Sequence, residues 1–124
     1  MDNQFAQPGS LVRRITLIAL TLMLAIGTAI LGVNLIESSD PYIQNVLSLD
    51  GDVKRGHDIF QINCAGCHGT QAAGKVGPSL QHISKRKSQI ALIHQVTDGK
   101  TPPMPKFEPS PQEMIDLLDY LDTL

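Results

Sequence analysis

Residues 64–68 read Cys64-Ala65-Gly66-Cys67-His68, and no other feature narrows the possible folds so far. C-x-x-C-H is the attachment pattern of a c-type haem. The chain has 2 cysteines in all, so both thiols belong to this motif. Each sulfur adds to one vinyl group of the porphyrin, and the adjacent His68 is carried under the ring, where its imidazole ligates the iron. A disulfide or redox C-x-x-C pair is the main rival. A zinc site would need two more ligands at matching spacing, and the sequence has no second C-x-x-C and no H-x-x-x-H pair. A chain that holds this group must fold around a large apolar plate.

The charge balance excludes other classes. With 10 Lys+Arg against 12 Asp+Glu, the chain lacks the basic footprint of a nucleic-acid binder. Its apolar residues are concentrated in one block, Ile15–Ile36, which contains no charge. At ~1.5 Å per residue this block spans ~33 Å, enough for a hydrocarbon core of ~30 Å. Arg13 and Arg14 precede it, Glu37 and Asp40 follow it, and the next basic residue is Lys54. The positive-inside rule then places residues 1–14 in the cytoplasm, 15–36 in the membrane as a single-pass anchor, and the rest on the periplasmic or lumenal side. Covalent haem attachment, made on that same side, agrees. A cleaved signal peptide is the alternative: its apolar region is shorter, but Gly27-Thr28-Ala29 offers a peptidase site. Arg13-Arg14 also resembles a twin-arginine export signal. The small residues Ala25, Thr28, Ala29 and Gly32 fit helix pairing, but ordinary lipid contact explains them as well.

Residues 37–49 read as a linker with an irregular start, although Pro41-Tyr42-Ile43 and Val46-Leu47 are too apolar for a free tether and suggest rest on the domain or on the membrane surface. The folded domain covers 50–124. A domain this short buries a modest core and needs a staple, which the haem supplies. Its pattern is all-α. A first helix starts near Asp50 or Asp52 and runs into the haem motif, with Val53, Gly56, Phe60 and Cys64 on one face. Gly56 in its interior costs ~1 kcal/mol relative to alanine, so a close backbone approach is expected there. A second helix spans Ser88–Thr97, capped by Ser88 and closed by Asp98-Gly99. A third opens on Ser110-Pro111-Gln112-Glu113, which combines an N-cap, a first-turn proline and a capping box. Met114, Leu117, Leu118, Leu121 and Leu124 form its apolar stripe, and Glu113, Asp116, Asp119 and Asp122 read as a solvated face. Ala73-Gly74-Lys75-Val76-Gly77 lacks the ending of a phosphate-binding loop.

An iron that carries electrons without binding substrate needs a sixth ligand. Thr101-Pro102-Pro103-Met104-Pro105-Lys106-Phe107 is the best source. Its prolines fix their own φ angles and favour extended backbone before them, giving a stiff, non-helical strap that presents the Met104 sulfur. Thioether ligation opposite histidine raises the reduction potential. His82 and His94 are the alternative ligands; His57 reads as a surface residue, Met114 as core and Met23 as part of the span. A ligating histidine donates its other ring N–H to a carbonyl, and the turn Val76-Gly77-Pro78-Ser79-Leu80 is placed to fold back beneath the ring and offer one. Lys85-Arg86-Lys87 is the one dense charge cluster. Arg86 is a candidate for a haem propionate, the cluster a candidate for steering an acidic partner, and a solvated loop is the plain alternative. Residues 37–124 carry 8 basic and 11 acidic side chains, so any positive docking patch is local.

Gly51-Asp52-Val53-Lys54-Arg55-Gly56, Phe60, the Cys64–His68 motif, Gly77-Pro78-Ser79-Leu80, Met104-Pro105 and the terminal Leu117–Leu121 helix together resemble the class I cytochromes c, with every block in order over residues 50–124. The short domain behind one anchor is similar to the cytochrome M group of cyanobacteria. The resemblance implies that Gly56 and Phe60 cross the last helix near Tyr120. It also implies that the Pro78 carbonyl accepts from His68, that Leu80 packs on the haem, and that Met104 is the distal ligand. With Cys64, Cys67, His68 and Phe107 these residues make the expected cofactor site, and His68 and Met104 the expected iron ligands.

The resulting expectation is a non-enzymatic, membrane-embedded one-electron carrier with one covalent haem c. It would sit in a thylakoid or plasma membrane and exchange electrons with an oxidase, a cytochrome bc/bf-type complex or a photosystem. A fixed haem subunit of such a complex, and a haem enzyme or sensor with an open distal site, are the competing readings.

Overall fold

Pro8 opens the helix α1 (Pro8–Ser38), which runs through the whole apolar block. The computed structural model describes residues 8–124; residues 1–7 of the expected cytoplasmic segment lie outside the described residues. From Gly9 to Ile36 α1 is long and apolar enough to cross a membrane, a property shared by anchors and export signals. Its side chains are exposed all round, with Met23 at 73 % and Leu24 at 70 %. A helix apolar on every face suits a lipid environment. Its polar side chains agree: the hydroxyls of Thr16, Thr21 and Thr28 and the amide of Asn34 each donate to a carbonyl one turn earlier, so none asks for water. A Cβ on Gly27 or Gly32 would meet nothing within 4 Å.

The second unit runs from Ser38 to Leu124 and is all-helical among the described residues. It contains α2 (Pro41–Leu47), α3 (Val53–Asn63), α4 (Ala65–His68), a 3₁₀ turn (Ile83–Lys85), α5 (Gln89–Asp98) and α6 (Pro111–Asp122). The caps sit where their chemistry predicts. Asp52 accepts from Arg55 N–H and starts α3, and Ser88 accepts from Ala91 N–H and starts α5. Gly99, at φ +58°, ends α5 in the left-handed region. Ser110 and Glu113 form the reciprocal capping box of α6 behind Pro111.

The core centres on α6. Met114, Leu117, Leu118, Tyr120 and Leu121 are buried, together with Phe60 of α3, Leu92, Ile93 and Val96 of α5, and Ile43 and Val46 of α2. α3 crosses α6 at Gly56, where an added Cβ would overlap the Asp116 carbonyl and lie 2.8 Å from Tyr120 Cβ. No side chain fits between these two backbones, which explains a glycine where alanine would favour the helix. The Phe60 and Tyr120 rings pack 5.3 Å apart beside the crossing, and exposed His57 stands edge-on to Tyr120 at 5.2 Å.

Two expectations are corrected here. The stretch read as a linker with an irregular start holds a helix that was not expected there, α2, seven residues long and capped by the Asp40 side chain with Pro41 in its first turn. It packs on α6 through Ile43 and Val46, and the Tyr42 hydroxyl donates to the Pro109 carbonyl at 2.9 Å. The acidic residues of α6 are not all solvated. Asp116 is 1 % exposed and accepts from Asp52 N–H at 2.8 Å, Arg55 Nε at 2.7 Å, Arg55 Nη2 at 3.0 Å and Gln112 Nε2 at 3.0 Å. A buried carboxylate is tolerable only with such a shell. The Arg55 hydrogen bond, against burial, holds the Asp116 carboxyl below the usual aspartate range. Its neighbour Asp119 is raised, first by burial and then by the charges of Asp116, Asp122 and Asp50.

Candidate functional site

The haem motif begins where α3 ends. Cys64 is at once the C-cap of α3 and the N-cap of α4, so the chain turns at the first cysteine and presents the second one turn later. Cys64 and Cys67 are free thiols, Cys64 half-buried and Cys67 exposed. Burial, and then the Cys67 sulfur, push the Cys64 thiol up to about 11. It is therefore neutral near pH 7, in an apolar setting that suits a thioether.

α4 is one turn long, and its terminal carbonyls need donors. The following loop provides them: Gly74 N–H donates to His68 O at 2.8 Å, and Gly77 N–H donates to Cys67 O at 2.8 Å. These two bonds fold the loop back onto the histidine. A Cβ on Gly77 would lie 2.7–3.2 Å from three atoms of the His68 ring, so the glycine backbone lies against the imidazole. The Pro78 carbonyl then sits 2.8 Å from His68 Nδ1. A carbonyl only accepts, so Nδ1 carries the proton and the lone pair is on Nε2, the nitrogen that a metal would use. Leu80, half-buried, packs against the core, and Leu80 N–H donates to Ala72 O. Arg86 braces this loop by donating to the Ser79 and Gln81 carbonyls at 3.2 and 3.0 Å, whereas Lys85 and Lys87 are exposed. The charge cluster is thus divided: its arginine is a loop tie.

The second group hangs on α5. The strap after Gly99 is non-helical, as its prolines predict, but it is not fully extended. Met104 N–H donates to Thr101 O at 2.9 Å, closing a turn over Pro102 and Pro103. Phe107 N–H donates to Val96 O at 3.0 Å and ties the strap back to α5. Gln95 Nε2 lies 3.6 Å from Met104 Sδ. Met104 and Phe107 are half-buried and pack against the core. Of the alternative ligands, His82 is exposed at φ +56°. His94 faces Asp98 at 3.4 Å through Nδ1, and its Nε2 is buried without a hydrogen bond. Asp116 and Gln95 were not singled out by sequence reasoning. Asp116 lies off the apolar stripe of a helix buried on more than one side, and nothing in the pattern marks Gln95.

These residues fit a covalent haem. One free thiol caps a one-turn helix and the other lies within it, and the histidine beside them directs Nδ1 to the Pro78 carbonyl, which leaves Nε2 as the nitrogen for a metal. Four half-buried side chains, Cys64, Leu80, Met104 and Phe107, lie on the core with part of their surface uncovered. Residues 51–121 match the family model described as cytochrome c oxidase, cbb3-type, subunit III. A cytochrome c-553-like protein of Synechocystis is 64% identical over 85 residues, covering 68% of this chain and 81% of that protein. Cytochrome c6 of Diacronema lutheri is 34% identical over 65 residues, 46% of this chain and 75% of the relative. Cytochrome c of Arabidopsis thaliana is 37% identical over 55 residues, 43% and 49% of the respective chains. The cyanobacterial likeness agrees with the resemblance drawn from the motifs. The chain belongs to the cytochrome c family and carries a covalently attached haem c.

Proposed function

We propose that the chain is a membrane-anchored one-electron carrier whose iron is held by His68 and Met104, with Cys64 and Cys67 bonded to the porphyrin. The haem supplies the one-electron chemistry, Fe(III) to Fe(II) and back. The protein's part would be to hold the iron through His68 and Met104, exclude water with Leu80 and Phe107, and leave room for electron exchange. The carrying observation is the strap: Met104 is fixed by its own turn, by Phe107 N–H on Val96 O, and by the Gln95 amide on its sulfur. A methionine held at three points supports the closed sixth position of a carrier, where an enzyme or gas sensor needs an open one. His68, oriented by Pro78 and Gly77, supplies the other ligand, and Leu80 and Phe107 supply apolar contacts.

α1 is the retained anchor in this reading, with Arg13 and Arg14 on the cytoplasmic side and the haem domain in the periplasm or thylakoid lumen. Donors and acceptors are then membrane complexes: an oxidase, a cytochrome bc/bf-type complex or a photosystem. No substrate is turned over. The test is the absorption spectrum of the detergent-solubilised full-length protein. The ferric form shows a methionine–iron band and the ferrous form does not change under carbon monoxide. A carbon monoxide spectrum in the ferrous form overturns the carrier reading.

A second reading, a fixed subunit of an oxidase, is favoured by the name of the matching family model and is compatible with a helix long and apolar enough to cross a membrane. Purification in mild detergent separates the two: a carrier comes off alone, a subunit comes off with its complex.

A further inference from the structure

We propose that Tyr42 of α2 is a positioning residue for the iron's methionine ligand: its hydroxyl clamps the far end of the strap through the Pro109 carbonyl and so sets how readily Met104 leaves the iron. The inference rests on the reading of Met104 as the sixth ligand.

Tyr42 stands in the stretch 37–49 that reads as a linker. The helix that forms there fixes its backbone first. The Asp40 side chain accepts from Tyr42 N–H at 2.8 Å and caps α2. Ile43 and Val46 are buried and seat α2 in the core. The half-buried Tyr42 packs against that core, and its hydroxyl donates to Pro109 O at 2.9 Å, 67 residues further along the chain. Burial, and then the charge of Glu113, push this hydroxyl above the usual tyrosine range, so it keeps its proton and remains a donor.

Pro109 is where the strap meets α6. It is buried and directly precedes the N-cap Ser110. A proline has no N–H, so its carbonyl is the backbone group left to tie it down. Met104 N–H on Thr101 O and Phe107 N–H on Val96 O hold the start and the middle of the strap. The Tyr42 hydroxyl holds its exit. For the sulfur to leave the iron, the chain between Gly99 and Ser110 must swing outward, and a swing needs give at both ends. With its exit clamped the segment has fewer open conformations, so the hydroxyl disfavours the open state without touching the sulfur. A helix docked for stability alone would need Ile43 and Val46; a phenylalanine at position 42 would pack as well and ask for no acceptor.

The test is a cyanide titration of the ferric full-length haem protein in detergent, with the methionine–iron band and the denaturant midpoint measured alongside. Cyanide takes the sixth position only when the methionine has left, so its apparent affinity scales with the open fraction. Tyr42→Phe keeps the ring and removes the donor. It should retain the band and bind cyanide about fivefold more tightly, the scale of one neutral hydrogen bond. Ile43→Val trims the packing of α2 and keeps the hydroxyl; it should lower the denaturant midpoint and leave the cyanide affinity at the parent value. In a Met104→Ala background, where the sixth position is already open, Tyr42→Phe should leave the cyanide affinity unchanged. A Tyr42→Phe protein with the parent's cyanide affinity overturns the proposal, and a lowered midpoint then marks Tyr42 as a structural tie. An equal gain in affinity from Ile43→Val, or from Tyr42→Phe without Met104, overturns it as well. A parent protein without the band, or one whose band survives Met104→Ala, overturns the ligand assignment and this inference with it.

Discussion

The α3–α6 crossing and the Met104 strap are built on opposite plans. At the crossing, protein packs on protein with nothing left over. Gly56 lets two backbones touch, Phe60 and Leu117 are sealed, and the buried charge Asp116 has four hydrogen bonds. The strap has no regular structure after its turn, and its apolar side chains, Met104 and Phe107, are only half-covered. The difference separates two jobs. The crossing is packed by protein alone, and in the proposed reading the strap and the His68 loop form a wall that the haem completes. Changes at the crossing should therefore cost global stability, and changes at the wall should alter the iron first.

Gly56→Val breaks the crossing most severely. Its side chain would overlap the Asp116 carbonyl, so the helices must separate. Overpacking costs ~1–3 kcal/mol, and backbone overlap puts this change at the upper end or beyond. The denaturant midpoint should fall clearly, and the methionine–iron band should vanish before the haem, which the thioethers retain. A wild-type midpoint would remove the crossing from the account.

Asp116→Asn should come next, at about 2 kcal/mol, because Arg55 loses its charged acceptor while remaining partly solvated. The sign of its pH dependence is set by the lowered folded-state pKa. The stabilisation is whole above the ordinary aspartate range near ~4 and is lost as pH falls through the folded value. Wild type and variant should thus differ at neutral pH and converge in acid. Asp119, shifted upward, acts in the opposite sense: its ionisation costs stability as pH rises through its folded value. Parallel curves for wild type and Asp116→Asn would show that the buried pair does not carry the acid limb.

Gly77→Ala probes the wall. The new methyl would press on the His68 ring, a contact that loop movement can partly relieve. The expected loss is about 1 kcal/mol, with a displaced reduction potential as the main effect. If stability falls more than in Asp116→Asn while the potential stays fixed, the division between crossing and wall is wrong.

The same contrast governs how much of the structure was legible in the sequence. Helices with chemical end-marks were readable: Ser88, Gly99 and Ser110-Pro111 with Glu113 stand where α5 and α6 start and stop. Gly56 was readable because a glycine inside a helix has a cost that close contact offsets. α2 was not, although Asp40-Pro41 repeats the cap-then-proline pair of Ser110-Pro111; seven residues are too few for an apolar period to emerge. Asp116 was missed for a different reason. A single stripe assumes burial on one side, whereas α6 is covered by both α2 and α3, so a residue off the stripe is still inside. The proline strap announced Met104, but its turn and the Gln95 contact arise from the return of the chain onto α5, which no local pattern records.

The central claim is that the wall supplies methionine to an iron already held by His68. Replacing Met104 and His94 separately by alanine and recording the ferric spectrum and the ferrous response to carbon monoxide tests it most directly. Met104→Ala should abolish the methionine–iron band and admit carbon monoxide, while His94→Ala keeps the parent spectrum. The reverse pattern, with His94→Ala opening the iron and Met104→Ala leaving it closed, would contradict the account.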